Sequence, residues 1–406
     1  MKIGFFADSY EPYVSGVVRS VQTFAAHLER RGHEVYIFAP SYPGWEKSEG
    51  KVFRFPSLRA PTHPDFTLAF PFAPRLLRAV PALGLEVIHV HSPFLLGLAG
   101  LYCARRWGLP LVFTYHTLYE QYVHYVPLPP ALTRPLTISW VRSFCQRCDL
   151  VVAPTASVRE VIRAHGVTSP VAVIPTGIEL ERFQRGDRRR GRARFGLGEE
   201  ERVLLFVGRL GKEKNLDFLL RAFHKVISGE GPSGKPAGPD RPCRLLLVAG
   251  GPAEGELRAL ARELGIEPWV IFAGRLAPEE VPDCYAAADL FVFPSLTETQ
   301  GLVLVEAKAA GLPTVAIRAF GIQDVVRGGE DGYLTAPDLD EFAARVGELL
   351  QREELRRRMG EAARRNAEEF AAPVVAERLE KAYLEVLTAR SHGVRAKAGC
   401  RAGLSP

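Results

Sequence analysis

Buried strands alternate with amphipathic helices through most of the chain, and this alternation constrains the fold more than any other feature. The first half begins with a strand over residues 2–7, and apolar residues at helical spacing follow Gly16. The alternation starts again after residue 200, where the strand Val203–Val207 leads into a polar loop and another helix. Strands and helices that alternate in this way are typical of parallel sheets covered on both faces. The sequence therefore predicts an α/β protein with two doubly wound parallel-sheet domains.

The same pattern gives the domain boundaries. The stretch before the second half is basic and contains glycine, which is typical of a solvated linker or a helix entry. Open parallel sheets bind ligands at the carboxyl ends of their strands, so two such domains facing each other form a cleft with loops from both. We predict a first domain, a linker, a second domain, a C-terminal helix that packs back on the first domain, and a frayed tail, over 1–175, 176–200, 201–370, 371–390 and 391–406.

Composition and charge narrow the classes of protein. The chain has 406 residues, of which 47% are hydrophobic, and no stretch approaches the roughly 20 apolar residues that span a bilayer. The first strand begins at once without a signal-peptide pattern, so we expect a cytoplasmic protein. The net charge is +6, and residues 1–180 hold 17 Lys and Arg against 12 Asp and Glu. This excess favours either phosphates or an anionic membrane surface as a partner, or ordinary solubility, and no nucleic-acid motif accompanies it.

The most informative motif is the segment Pro294–Glu306. It follows the apolar strand Leu290–Phe293 and carries Glu298 in a polar loop and Glu306 in an apolar helix. Backbone N–H groups at a helix N-terminus are a favourable place for a phosphate. The two carboxylates are suited to hold hydroxyls of a group attached to that phosphate. A sugar nucleotide has both kinds of group.

Other polar residues also follow predicted strands, where the fold places ligands. Gly16 opens a helix, so a diphosphate can approach its backbone, although a structural turn is the alternative. Arg209 and Lys214 flank a strand-to-helix loop and are suited to neutralise a diphosphate leaving group, with surface charge as the alternative. His116 ends the strand Leu111–Tyr115 and begins an aromatic segment, so we place it in the active site. We interpret the neighbouring His89 and His91 as structural residues.

Together these motifs resemble the retaining GT-B glycosyltransferases of group 1 and family 4. The resemblance rests on the paired glutamates, the basic loop after the second-half strand, the Gly16 loop, the Gly250-Gly251-Pro252 turn and Ile174-Pro175-Thr176-Gly177-Ile178. Within that family, the segment from Thr114 to Glu120 with His124 is similar to the diacylglycerol glucosyltransferases, and phosphatidylinositol mannosyltransferases and sulfoquinovosyl transferases are similar too. The resemblance implies a GT-B fold with two Rossmann-like domains facing across a cleft, an acceptor-side first domain and a nucleotide-sugar-binding second domain.

The resemblance also implies roles for individual residues. Glu306 would hold the ribose hydroxyls, and Glu298 would bind hydroxyls of the donor sugar. Arg209 and Lys214 would stabilise the departing diphosphate, and His116 would bind the donor sugar or relay a proton. The predicted catalytic residues are therefore His116, Arg209, Lys214 and Glu298. The predicted donor-binding residues are Gly16, Gly250, Arg275, Leu276, Gln300, Gly301, Leu302 and Glu306. The predicted acceptor-side residues are Tyr10, Tyr13, Tyr119 and His124.

The expected reaction is transfer of glucose from UDP-glucose to a lipid such as diacylglycerol, with retention at the anomeric carbon and without a metal or other cofactor. Two alternatives stay open at this point. One is transfer of glucose or mannose, from a UDP or GDP donor, to a soluble glycan, sugar or small metabolite. The other is a nucleotide-sugar-binding protein without turnover. A dinucleotide dehydrogenase is disfavoured because the glycine fingerprint followed by a ribose-binding acid is missing.

A membrane acceptor requires a docking surface. Arginines and large apolar residues alternate in a predicted helix after the aromatic loop: Leu132, Arg134, Leu136, Ile138, Trp140, Arg142 and Arg147. Such a helix is suited to lie in a lipid headgroup layer, and a buried domain helix is the alternative. The first reading predicts a peripheral protein on the inner face of the cell membrane.

Overall fold

A computed structural model describes residues 1–45, 50–60, 63–71, 74–121, 129–229 and 242–402. The chain divides into two compact units. The first contains Met1–Gly177 together with Ala372–Pro406, and the second contains Ile178–Ala371.

The first unit contains a parallel sheet with the strand order β3-β2-β1-β6-β7-β8-β9 and a separate antiparallel pair, β4-β5. Its strands are β1 Lys2–Phe6, β2 Glu34–Pro40, β3 Val52–Phe55, β4 Ser57–Ala60, β5 His63–Ala69, β6 Val87–Val90, β7 Leu111–Thr114, β8 Leu150–Ala153 and β9 Val171–Val173. Its helices are α1 Gly16–Arg30, α2 Pro74–Leu83, α3 Leu95–Trp107, α4 Pro130–Cys145, α5 Ala156–Ala164 and α15 Ala372–Ala402. The strand order reverses direction between β1 and β6, and ligands of such sheets bind at this switch point.

The second unit repeats this design with the strand order β12-β11-β10-β13-β14-β15, again parallel. Its strands are β10 Arg202–Val207, β11 Cys243–Val248, β12 Val270–Gly274, β13 Leu290–Phe293, β14 Thr314–Ile317 and β15 Gly332–Thr335. Its helices are α6 Leu180–Gln184, α7 Arg188–Arg194, α8 Leu216–Ser228, α9 Glu254–Glu263, α10 Val281–Ala287, α11 Leu302–Ala310, α12 Ile322–Val325, α13 Leu339–Gln351 and α14 Glu353–Ala367. Here the order reverses between β10 and β13. The loops with Arg209 and Glu298 follow these two strands.

The strands are mostly apolar because helices cover both faces of each sheet. In β8 and β13, for example, every residue is apolar and buried. A parallel sheet buried on both faces selects such uninterrupted apolar runs. This composition explains why the strands beside the switch points were readable in the sequence.

Most of the stretch over 176–200, for which we predicted a linker, forms helices. Residues from Ile178 onward belong to the second unit and form α6 and α7. Two arginines of α7 are paired with carboxylates: Arg190 Nη2 donates to Asp283 Oδ1 at 2.8 Å, and Arg188 Nη2 donates to Asp289 Oδ1 at 3.0 Å. These arginines, whose charge suggested exposure to solvent, therefore anchor α7 to Asp283 in α10 and to Asp289 after it.

Helix α15 packs on the first unit although it follows the second unit in the chain. Val375, Leu379 and Tyr383 are buried in a cluster with residues of β1 and α1. At the surface, Glu380 accepts from Arg31 Nε at 2.5 Å and lies 2.8 Å from His33 Nε2. The helix continues to Ala402, beyond residue 390, after which we predicted a tail.

Candidate active site

The loop between β13 and α11 places the two glutamates in different surroundings. Gly301 has φ +75°, a conformation that glycine adopts at little cost, and α11 begins immediately after it. Glu306 lies one turn into α11 and is only 1% exposed. Its Oε2 accepts a hydrogen bond from Tyr285 Oη at 2.6 Å, and Tyr285 is itself fully buried in α10. The phenol therefore fixes the orientation of the Glu306 carboxylate.

Glu298 is paired with a predicted catalytic cation. Lys214 Nζ donates to Glu298 Oε1, and Ser295 Oγ donates to the same oxygen at 3.2 Å. Both charged side chains are mostly buried, with 16% of Lys214 and 15% of Glu298 exposed. The loops after β10 and β13 are also joined where Asn215 Nδ2 donates to the Pro294 carbonyl at 3.3 Å. The structure thus brings together Lys214 and Glu298, as expected for residues at one switch point.

Arg209 lies in the same loop as Lys214 but points into a more open region. Its side chain is 42% exposed, and its Nη1 is 4.0 Å from Glu213 Oε1. A half-exposed guanidinium whose one ion pair among the described residues is 4.0 Å long is suited to donate to an anionic ligand.

Three predicted donor-binding residues, Gly250, Arg275 and Leu276, follow the neighbouring strands β11 and β12. A side-chain carbon added to Gly250 would lie 3.7 Å from Arg275 Cγ, so Gly250 and Arg275 are adjacent. Arg275 is exposed, whereas Leu276 is partly buried against the core. Gly251 has the stricter steric requirement, since an added carbon there would meet the Leu210 carbonyl oxygen at 2.3 Å.

We predicted that the backbone of Gln300, Gly301 and Leu302 binds phosphate. The loop after β14, which the sequence analysis did not identify, contacts the chain just before these residues. Gln300 is 3% exposed. Gly321, which follows β14, has φ +75°, and a side-chain carbon there would meet the Thr299 carbonyl oxygen at 2.5 Å. The absence of a side chain at Gly321 lets the two loops touch and so fixes the path of the chain before Gly301.

In the first unit, three histidines form a row at the ends of β6 and β7. His91 Nδ1 lies 3.0 Å from His116 Nε2, and the His89 and His91 ring centroids are 4.3 Å apart. His89 contacts Tyr383 Oη at 2.5 Å and Thr114 Oγ1 at 2.7 Å. Burial lowers the pKa of His89 and of His116 to about 3 and that of His91 well below its ordinary value. All three rings are therefore neutral near pH 7.

The remaining predicted residues of the first unit lie around the β1 loop and the turn after β7. Gly16 is exposed at the first position of α1, where Ser15 Oγ accepts from the Val18 N–H at 3.2 Å. Tyr10 is 8% exposed, and the Arg54 guanidinium lies over its ring at 5.2 Å. The Tyr13 N–H donates to the Tyr10 carbonyl at 3.0 Å.

Tyr119 follows β7 and is partly buried, with its ring edge-on to Tyr115 at 5.7 Å and to Phe94 at 5.3 Å. These contacts hold the Tyr119 ring beside residues of the first unit's core. His124 lies outside the described residues.

Helix α4 has one buried and one exposed apolar face. Val141, Phe144 and Cys145 are buried in the first unit's core, whereas the outer face of α4 exposes 59% of Leu132, 65% of Leu136 and 41% of Trp140. Arg134 and Arg142 are exposed on the same helix. The segment is therefore a domain helix that also presents an apolar stripe to solvent. Among the described helices, none combines the length and apolar character needed to cross a bilayer.

Sequence reasoning missed Tyr285, Ser295 and Gly321 and treated His91 as merely structural. Ser295 carried a usable signal, because it is a polar residue two positions after a buried strand. Tyr285 carried none, since it lies in a different helix from Glu306 and the two meet only in the fold.

Comparison with known proteins shows the family to which the chain belongs. Residues 14–182 match the family model described as Glycosyltransferase Family 4, and residues 187–366 match the model described as Glycosyl transferases group 1. The chain is 35% identical over 328 residues to an alpha-monoglucosyldiacylglycerol synthase of Streptococcus pneumoniae, covering 78% of this chain and 71% of that protein. It is 29% identical to a GDP-mannose-dependent alpha-mannosyltransferase of Corynebacterium glutamicum, covering 82% and 76%.

Among solved structures, the sucrose-phosphate synthase of Thermosynechococcus elongatus superposes with a TM-score of 0.77 at 22% identity, covering 96% of this chain and 99% of that chain. This likeness concerns the fold, and it confirms the prediction of two parallel-sheet α/β domains of the GT-B class. The chain belongs to the GT-B glycosyltransferases of family 4 and group 1.

Proposed function

We propose that this protein is a retaining glucosyltransferase that transfers glucose from UDP-glucose to a lipid acceptor such as diacylglycerol and forms an alpha-linked glycolipid. The observation that carries the proposal is the pair of glutamates beside the second unit's switch point, one buried against Tyr285 and the other paired with Lys214. The likeness to an alpha-monoglucosyldiacylglycerol synthase supports the choice of sugar and acceptor.

In this proposal each carboxylate has its own ligand group. Glu306, oriented by Tyr285, accepts hydrogen bonds from the two ribose hydroxyls. Glu298 accepts from hydroxyls of the glucosyl group, and the N–H groups around Gly301 donate to phosphate oxygens at the start of α11. Arg275 and Leu276 flank the base and contact it largely through backbone.

Charge stabilisation drives the proposed chemistry. The glucosyl carbon gains positive character as its bond to the diphosphate breaks, and the diphosphate gains negative charge. Arg209 and Lys214 are positioned to receive that charge, and fixed cations lower a barrier most where charge develops. The acceptor hydroxyl attacks on the face that the diphosphate leaves and gives its proton to the departing phosphate oxygen, which retains the anomeric configuration. We propose that this chemistry requires no metal, and full activity in EDTA is the expected result.

The outer face of α4 supports a lipid acceptor. Its three exposed apolar side chains are spaced four residues apart, so they lie on one side of the helix, and arginines flank them. Apolar side chains that enter the acyl boundary and arginines that meet anionic headgroups are the two contributions to interfacial binding. We propose peripheral association with an anionic membrane through this surface.

A flotation assay tests this association. Vesicles with and without phosphatidylglycerol should separate the charge contribution, because binding should fall in neutral vesicles. Leu136→Glu should reduce binding, whereas Leu384→Glu, at a similarly exposed leucine of α15, is the matched control and should not. Equal binding by both variants would contradict the assignment of this surface.

The function itself is tested by incubating the protein with labelled UDP-glucose, UDP-galactose or GDP-mannose and vesicles containing diacylglycerol, followed by lipid extraction. We expect label in the lipid phase from UDP-glucose, an α-linkage by NMR, and loss of transfer in Glu306→Gln. Label only in a water-soluble product would reject the lipid acceptor, and label from GDP-mannose alone would favour the mannose donor suggested by the Corynebacterium relative.

A further inference from the structure

The buried side chain of His91 contacts the side chain of His116. Its Nδ1 lies 3.0 Å from Nε2 of His116, the first unit's predicted catalytic residue, with the two rings 23° from parallel. His91 is held firmly, since its backbone N–H donates to the Phe6 carbonyl at 2.8 Å and its ring packs edge-on against Phe5 at 4.9 Å. A fixed imidazole therefore faces one particular nitrogen of His116.

Because both imidazoles are neutral, a single proton lies between these two nitrogens, and it belongs to one ring or the other. If His116 Nε2 carries it, His91 must carry its own proton on Nε2. That atom is buried and has no hydrogen-bond partner among the described residues. If His91 Nδ1 carries the shared proton, the unpartnered Nε2 is only a lone pair.

The second arrangement has the lower free energy, because it buries an unused lone pair instead of an unpartnered N–H group. Buried N–H donors without a partner are rarer in proteins than acceptors with an unused lone pair. The neighbouring His89 does not change this balance, because its two nitrogens are engaged by Tyr383 and Thr114.

We propose that His91 is a positioning residue that fixes His116 in the tautomer with its proton on Nδ1. This inference rests on the proposed function for its consequence: His116 then acts on the glucosyl donor as a hydrogen-bond donor through Nδ1. It does not act as a base through Nε2, since that lone pair is occupied by His91. Of the two roles predicted for His116, the contact favours sugar binding over proton relay.

The tautomer can be measured without any substrate. Protein labelled with 15N-histidine shows, in long-range correlation spectra, which ring nitrogen carries the proton, and His116→Gln identifies the His116 signals. We expect the Nδ1–H pattern for His116 in the unmodified protein. The Nε2–H pattern would overturn the inference, whatever reaction the protein catalyses.

Kinetic variants then separate positioning from packing. His91→Asn keeps an amide N–H near the place of Nδ1, whereas His91→Phe keeps the ring volume without a donor. We expect kcat for glucosyl transfer to fall about tenfold in His91→Phe, as for loss of one hydrogen bond, and to recover largely in His91→Asn. His89→Asn, in the same row but without a hydrogen bond to His116, is the control and should leave the His116 tautomer unchanged.

Two outcomes of these measurements would refute the inference. One is an unchanged kcat in His91→Phe. The other is an equal loss in His91→Asn and His91→Phe, which would indicate packing alone. A protein that transfers no sugar at all would refute the proposed function and leave the tautomer measurement to decide the role of His91.

Discussion

The buried His89 should make the first unit sensitive to acid by a predictable amount. Its ring is fully buried between Tyr383 and Thr114, and burial lowers its pKa to about 3. In the unfolded chain a histidine has a pKa of about 6.5. Between these values the unfolded state binds a proton that the folded state does not, so stability is full above about pH 6.5 and falls as the pH is lowered.

The magnitude follows from the linkage relation. Integrating one proton over the range from pH 7 to pH 5 gives a loss of about 2 kcal/mol in the free energy of unfolding from this histidine alone. His91 and His116 have pKa values shifted in the same direction, so they add to the loss. Asp8 opposes it, since burial raises the pKa of its carboxyl.

The assay must report the first unit alone, because a chain with two units need not unfold in one step. Trp269 is the tryptophan of the second unit, and the others are Trp45, Trp107 and Trp140. In a Trp269→Phe background, urea unfolding followed by fluorescence therefore monitors the first unit. His89→Gln, made in that background, should be less stable at pH 7, but its loss between pH 7 and pH 5 should be smaller by about 2 kcal/mol.

The comparison cancels the other titrating groups, because they are present in both proteins. His392→Gln is the matched control at an exposed position and should show the parent's full loss. If His89→Gln and its parent lose the same free energy between the two pH values, within about 0.5 kcal/mol, the assignment of the effect to this buried ring is refuted.

Three further predictions concern the second unit. Tyr285→Phe should weaken UDP binding about tenfold in calorimetry, because the Glu306 carboxylate loses a charge-assisted hydrogen bond; unchanged affinity would contradict the role given to this pair. Arg209→Ala should lower kcat by about 100-fold with a smaller change in UDP affinity, and an equal effect on both would indicate ordinary binding. Lys308→Met should cost about 3–5 kcal/mol in urea unfolding, because Asp331, 2.8 Å away and fully buried, is left as an unpaired charge; replacing both residues by apolar ones should restore much of this loss.

The elements that the sequence revealed are those whose signal is local. Strands such as β8 and β13 are uninterrupted apolar runs, and Glu298 lies in the loop after β13, so its place at the carboxyl end of a strand could be predicted from its neighbours. Helix α7 lacks such a local signal: its arginines fit a solvated linker or a helix entry in the sequence, and the Asp283 carboxylate that pairs with Arg190 is 93 residues away.

The residue pairs that orient the side chains of the candidate site leave no such local signal in the sequence. Tyr285 and Glu306 are 21 residues apart on different helices, and either residue alone fits an ordinary amphipathic pattern. His91 and His116 are brought together because β6 and β7 are adjacent in the sheet, and only the register of the two strands decides that Nδ1 faces Nε2. Sequence patterns thus identify the groups that contact a ligand more readily than the groups that orient them.

Glu298 and Glu306 show how the partner of a carboxylate determines what that carboxylate can do. Glu306 accepts from a neutral phenol, so the partner directs its carboxylate without neutralising it, which suits an acceptor for the two neutral hydroxyls of a ribose. Glu298 is joined to the Lys214 ammonium, so it presents a negative and a positive end side by side. The proposed reaction separates charge in the same sense, positive on the glucosyl carbon and negative on the departing diphosphate. A fixed ion pair of this kind stabilises the transition state, in which charge has separated, more than the bound donor before its bond breaks. This difference is the condition for catalysis rather than binding.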